Sequence, residues 1–303
     1  MRRKVLVFRR LFLRGIICMS VICNSCKGEN KNYEPTYSVD TLQNKTLLYG
    51  VPTQAHYGMH AAFVKYLNDH ISAIHIRTVA SSNFSAYVDK LNGRFFDVAL
   101  ANGVLALDST RLGYSILGTS VEEEANAGVI LVHKDSSINH ISDLKDKTVA
   151  TTGSPALGGH MLPMLYLFKN GLNVNKEIKL KYFESFESVI LNMYLGKCSV
   201  GFSTLNGWNT VVKKRPEIAS KVAIRWTTPA VVGNPLLIRK NIGEDTVGKI
   251  KNLIFTMHLN EGGRKALADL GYRKFVPADS NTYKPFREFL KEYHASIIIE
   301  PKK

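Results

Sequence analysis

Cysteine is nearly absent from the body of this 303-residue chain. Of four cysteines, three stand in the first 26 residues (Cys18, Cys23 and Cys26), and only Cys198 follows. One thiol cannot build a disulfide framework, so stability must come from a buried core, which a chain of this length can form in one large domain or two. Cys198 lies in an apolar run and is expected to be a buried thiol, not a nucleophile. After the N-terminus no run of 18 apolar residues occurs, so no later segment is expected to span a membrane as a helix. No dense Lys/Arg block with interleaved aromatics is present, and nucleic acid is not an expected partner. A nucleophile elbow, a metal triad and a cofactor signature are all missing, which argues against an enzyme. No internal repeat is found.

What is present begins with a basic segment, "MRRKVLVFRRLFLR", then the apolar "GIICMSVIC", then "NSC". This order reads as a secretory signal over residues 1–25. With Ser25 before it, Cys26 resembles the lipidated first residue of bacterial lipoproteins; the alternative is a short membrane anchor that is never cleaved. Residues 1–25 carry six basic residues and no acidic one, so their removal lowers the formal net charge from +15 to +9. That charge suits anionic ligands or a membrane surface, or reflects lysines scattered over a solvated face. Residues 26–45 are polar and aperiodic, as a flexible tether would be.

The fold is expected to begin at "TLLYGVP". Short apolar strands then alternate with helical segments about ten residues long, the pattern of βαβ units and a parallel sheet. The alternation breaks at "AGVILVHKDSSI" and resumes from "TVATTG", with helices expected over 159–169, 186–195 and 206–213. Two strand-like pieces follow around Pro229, Gly233 and Pro235, and helices over 244–258, 261–270 and 282–293 finish the chain. One α/β lobe thus opens, a second is inserted whole, and the chain returns to the first. The expected crossings lie near 130–134 and 226–235, with one lobe over 46–131 and 230–303 and the other over 132–229.

The segment "GVILVHKDSSINHISDLKDKTVATTGSP" resembles the entry into the second lobe of type II periplasmic substrate-binding proteins. "RWTTPAVVGNPLLIRKNI" resembles the return crossing of the phosphate/phosphite/phosphonate ABC-transporter binding proteins, and "GYRKFVPADSNTYKPF" resembles that group's ending. The likeness covers about residues 46–290. It implies a two-lobe α/β fold, each lobe a mainly parallel sheet flanked by helices, joined by a two-crossing hinge. It also implies a membrane permease of an ABC importer as partner.

Ligands of such hinged pairs sit in the cleft at the carboxyl ends of the strands, where helix N-termini favour anions. After the first strand, Thr53, Gln54 and His56 can bond a ligand. His56 and His60 have the i, i+4 spacing of helical metal ligands, yet no Glu follows the first His and no third ligand is near, so a helix cap with a solvated His is preferred and no metal is expected. Phe84 falls where the family commonly has Tyr; it is an apolar wall of the site or part of the core. Asp97 is read as structural. Asn102 and Gly103 can present amide and N–H groups.

In "TTGSPALGGHMLPMLYLF", aligning Gly159 and Pro163 with the phosphonate binders puts Ala156, Leu157 and Gly158 where their three hydroxyl residues stand. Thr151, Thr152 and Ser154 keep hydroxyls nearby. Gly158 and Gly159, with His160 at the lip, form either a backbone cradle or a packing turn that needs glycine. The glycines also suggest a nucleotide loop, but the lysine and hydroxyl that phosphate and Mg²⁺ require are absent. Phe186 falls at a frequent His, and Ser203 and Thr204 at acidic or amide positions. Asn234, in the return crossing, completes the expected ligand set.

With these polar anchors lost, a bare phosphonate is not the expected ligand, because a buried anion is costly unless paired. The expectation is a monomeric, exported, lipid-anchored solute-binding protein without a cofactor, taking a larger, partly apolar and at least partly anionic molecule for an ABC-type importer. The alternatives are a sensor or surface protein with no transporter and, less favoured, an enzyme on the same fold.

Overall fold

The computed structural model describes residues 45–72, 74–122 and 126–298. The expected signal segment, Cys26 and the tether up to residue 44 lie outside the described residues. The chain first forms β1 (Lys45–Val51), α1 (Tyr57–His70), β2 (Ile74–Ala80), α2 (Phe84–Asn92), β3 (Val98–Leu100), α3 (Gly103–Arg111) and β4 (Tyr114–Glu122). Then come β5 (Gly128–His133), β6 (Thr148–Thr151), α4 (Leu162–Lys169), β7 (Lys179–Tyr182), α5 (Phe186–Tyr194), β8 (Val200–Thr204), α6 (Leu205–Lys214), α7 (Ile218–Lys221) and β9 (Val222–Thr227). It closes with β10 (Pro235–Arg239), α8 (Glu244–Thr256), α9 (Glu261–Ala268), β11 (Tyr272–Val276) and α10 (Pro285–Ser296).

Two sheets result, one ordered β11-β4-β10-β3-β1-β2 and the other β7-β6-β8-β5-β9. β1 is parallel to β2 and β3, and β6 to β7 and β8. β10 is antiparallel to β3 and β4, β11 to β4, and β5 to β8 and β9. Four strands of each sheet therefore run the same way. The strands that run the other way are β5 in the second sheet and β10 and β11 in the first, and for β5 and β10 the reversal has a topological cause. Each is the first strand after the chain changes sheets, so it starts at the edge where the same-direction strands end.

The first change of sheet falls between Glu122 and Gly128, ahead of the expected 130–134, because β5 pairs along its whole length within the second sheet. Its apolar residues are buried throughout, and such a run does not say which sheet it will join. The return passes through 228–234. The last helix departs from the expected arrangement too. Phe286 of α10 lies against Gly103 of α3. At its other end Ser296 O accepts from Asn175 Nδ2 at 2.8 Å, and Glu292 pairs with Lys169 at 2.6 Å. Residues 285–298, expected with the first lobe, thus straddle both.

Each sheet has its own core. Tyr49, Phe63, Leu67, Ile76 and Ile254 pack the first against α1, α8 and α9. Ile130, Val149, Leu165 and Phe202 anchor the second. Cys198 is buried beside Val189 and Met193, and burial pushes its thiol up. Asp97 is structural: Oδ2 accepts the Leu48 N–H at 2.8 Å and Oδ1 meets Arg239 Nη2 at 3.0 Å.

Candidate ligand-binding cleft

β1, β2, β3, β6, β7 and β8 each end at one cleft of about 310 Å³ and lead directly into a helical segment that starts there. Six helix N-termini therefore converge on it, each with unpaired N–H groups and a partial positive charge. Four are closed by side chains. Asn83 accepts from Ala86 N, Asn102 from Leu105 N, Ser185 from Ser188 N and Thr204 from Gly207 N. Asn102 also donates Nδ2 to Pro155 O at 3.2 Å, spanning from the first sheet's side to the second's. Asn102 and Thr204, both expected to hold ligand, thus spend an oxygen on their own helices. Two helical segments start without a side-chain cap: α1, and the π-helical turn Leu157–Met161 that precedes α4.

At α1, His56 and His60 both line the cleft. His56 Nδ1 is 2.7 Å from Thr53 Oγ1, and His60 Nδ1 is 2.8 Å from Tyr49 OH. Burial lowers both imidazoles, His60 to about 3 with His56 adding to the effect, so neither carries charge near neutral pH. Phe84 is at once wall and packing: it lines the cleft and stacks on Tyr87, ring centres 6.0 Å apart. Gln54 is exposed and off the cleft wall.

The uncapped turn on the opposite side is covered. A β-carbon on Gly159 would overlap the ring of Phe186, and one on Gly158 would overlap the methyl of Thr204. Neither glycine has positive φ; in this loop that conformation belongs to Gly153, at +78°. Thr151 Oγ1 donates to Gly159 O at 2.8 Å, so its lone pairs must accept from His160 Nδ1, 2.9 Å away. His160 is therefore turned into the loop and does not line the cleft; burial lowers it to about 4. Ser154 and Ser203 also stand off the wall. Thr152 Oγ1 and Ser203 Oγ are buried without a hydrogen-bond partner among the described residues.

The crossings supply the back wall. Glu122 Oε1 accepts from Ser120 Oγ at 2.7 Å, and Asn234 N lies 3.4 Å away. Asn234 Nδ2 donates to Tyr272 OH at 3.1 Å. Burial raises the Glu122 carboxyl. Among the described residues, Glu184, Glu187 and Lys214 are the other charged residues on the wall, all exposed, which makes three carboxylates and one ammonium group. No group of three potential metal ligands occurs among the described residues.

Eight of the twelve expected ligand residues line this cleft: His56, Phe84, Asn102, Thr152, Gly158, Gly159, Thr204 and Asn234. Sequence reasoning missed Glu122, Asn126 and Tyr272, which arrive from the crossings and β11, and Lys214, a late residue of α6. The helix-entry signal that found the others does not reach such positions.

Residues 51–283 match the sequence profile of the family described as ABC transporter, phosphonate, periplasmic substrate-binding protein. The phosphonates-binding periplasmic protein of Escherichia coli (strain K12) is 21% identical over 258 residues, covering 81% of this chain and 76% of that protein. A binding protein component of an ABC phosphonate transporter from Pseudomonas aeruginosa superposes with a TM-score of 0.74 at 19% identity, covering 84% of this chain and 88% of that one. PhnD1 from Prochlorococcus marinus, in complex with methylphosphonate, gives 0.74 at 16% identity, covering 84% and 99%. The architecture is the type II periplasmic-binding fold. These relatives are substrate-binding proteins and not enzymes, and the chain belongs to the family of ABC-transporter phosphonate periplasmic substrate-binding proteins.

Proposed function

We propose that this chain is an exported, lipid-anchored solute-binding protein that captures one small organic acid in its cleft and presents it to an ABC permease. The observation that carries the reading is the convergence of six helix N-termini on a cleft that Phe84 and Phe186 also line. N–H groups and helix dipoles suit an acid group, while the rings suit an apolar body. Among the described residues the cleft has a single lysine and no arginine on its wall, so a bare, doubly charged oxyanion would be poorly compensated there. An organic phosphonate or related acid with an alkyl or aromatic portion fits better, and phosphonate is what the names of the relatives specify. The two lobes close about the crossings when ligand binds. The protein works as a monomer, and Cys26 carries the lipid.

A thermal-shift screen of the full chain against phosphate, phosphite, alkylphosphonates, sulfonates and carboxylates tests the assignment. A compound at 100 times its dissociation constant adds about 2.7 kcal/mol to stability, a readily seen rise in melting temperature. Stabilisation by alkylated acids but not by phosphate is the expected result. Stabilisation by none of these acids would reject the reading.

A further inference from the structure

The cleft has two helix starts that no side chain caps, and they are not equivalent. The turn at Leu157–Met161 is overlaid by Phe186 and the methyl of Thr204, and the neighbouring His160 is tied inward to Thr151. The start of α1, into which a 3-10 turn over Gln54–His56 leads, is open at Gly58, where a β-carbon would meet nothing within 4 Å. It is flanked by His56 and His60, one helical turn apart, each bonded through Nδ1 and each lining the cleft. His60 is 94% buried, being 6% exposed.

The partners assign the tautomer at His60. A phenol is the stronger donor, so Tyr49 O–H donates to Nδ1 and the ring hydrogen sits on Nε2. Thr53 Oγ1 plays the same role for His56 when it donates to Nδ1. Neither Nε2 has a partner among the described residues. The first wall thus offers two uncharged N–H donors beside a helix dipole, and Glu122, which lines the same cleft, makes no ion pair among the described residues.

We propose that the acid group of the ligand docks at the start of α1, held by His56 Nε2–H and His60 Nε2–H as a single negative charge, with its apolar body directed towards Phe186. This rests on the reading of the cleft as an acid-binding site and gives that site a polarity. Burial keeps both imidazoles neutral, so they contribute dipoles without counter-charge. A second negative charge would be desolvated in a cleft whose described wall carries three carboxylates against one exposed lysine, Lys214. The ligand class is therefore a monoanion with an alkyl or aryl tail: a sulfonate, a carboxylate or a phosphonate carrying one proton.

Calorimetry on the full chain with butanesulfonate and butylphosphonate tests this between about pH 7 and about pH 9, above the ordinary imidazole value from which burial lowers both rings. The sulfonate keeps one charge throughout and should bind with constant affinity. The phosphonate loses its second proton in this range, and its affinity should fall roughly tenfold. His56→Ala and His60→Phe should each weaken both probes at least about fivefold with the fold retained by circular dichroism. Phosphonate binding that tightens as pH rises would overturn the proposal, as would wild-type affinity in both folded variants. In either case the acid-binding reading survives. If the unaltered protein binds neither probe, that reading fails and the proposal falls with it. The pH series needs no variant, so misfolding of His60→Phe cannot leave the matter open.

Discussion

The ring of Phe186 lies against the α-carbon of Gly159, filling the space a side chain would need there. The other edge of the same ring approaches Gly207, where a β-carbon would come within 2.8 Å of it. Two glycines on separate loops thus accommodate one aromatic side chain. Gly159→Val is expected to destabilise the protein by about 1–3 kcal/mol through overpacking, read as a lower urea midpoint with an unchanged slope. Adding Phe186→Ala should recover part of that loss, because the clash disappears with the ring. Two substitutions whose costs simply add would show that Gly159 serves the turn and not the ring.

Asp97 makes a second stability prediction. It ties the Leu48 N–H of β1 to Arg239 of β10, and Arg239 Nη1 donates on to Arg94 O at 3.0 Å. Removing one member of a largely buried pair leaves the other charge uncompensated. Asp97→Ala should cost about 3 kcal/mol, with Arg239 partly relieved by its residual exposure to water. Chemical denaturation measures it, and a loss below about 0.5 kcal/mol would reassign the pair to the surface class.

Acid should weaken the fold through its buried imidazoles. His60 is lowered to about 3 and His160 to about 4, against 6.5 in the unfolded chain. A depressed imidazole contributes its stability above the unfolded value, and loses it as pH falls through 6.5 towards the folded values, because only the unfolded state binds the proton there. Each such group steepens the loss by up to about 1.4 kcal/mol per pH unit. Urea titrations at falling pH should show this decline, and His160→Gln should flatten it. A stability that stays level from about pH 7 to about pH 5 would mean that neither ring is as dry as its surroundings imply.

Much of this was legible in the sequence. The alternation of short apolar runs and ten-residue helical segments gives nearly every element, because a period of two and a period of 3.6 are hard to confuse at those lengths. The loops that line the cleft follow from strand ends and caps. Less legible was any property set by what lies across space. "GVILVH" is apolar on both faces and suits either sheet. The glycines at 158 and 159 read equally as a cradle or as packing, and only the positions of Phe186 and Thr204 show what covers them. His160 sits in the same short motif but turns the other way, held by a hydroxyl nine residues earlier. Glu122 gives no local signal, since its place on the wall comes from a meeting of two crossings 112 residues apart.

Membrane attachment is predicted to depend on Cys26. The basic, apolar and small-residue order before it motivates a lipidated N-terminus. Cys26→Ala should leave the protein unprocessed or release it from washed membranes into the soluble fraction. An intact mass of the wild-type protein that still includes residues 1–25 would exclude the cleavage on which the anchor depends.

The last prediction concerns closure. The two crossings are laced together. Gly128 N donates to Thr228 Oγ1 and Thr228 N to Gly128 O, Val231 N donates to Asn126 O, Asn126 Nδ2 to Val232 O, and Ser120 N to Asn234 O. A paired ribbon of this kind bends as a unit more readily than it shears, since shear would break several hydrogen bonds together. Closure must also carry α10, which rests on Gly103 at one end and on Asn175 and Lys169 at the other. The expected motion is therefore a rotation about the laced crossings, with α10 sliding over α3 and keeping its distal contacts. Small-angle scattering should show a smaller radius of gyration with saturating ligand than without. Asn126→Ala removes one lace and should broaden the ligand-free distribution while leaving the liganded radius unchanged. Identical scattering curves with and without ligand, at a concentration where calorimetry shows full occupancy, would mean that the cleft fills without closing.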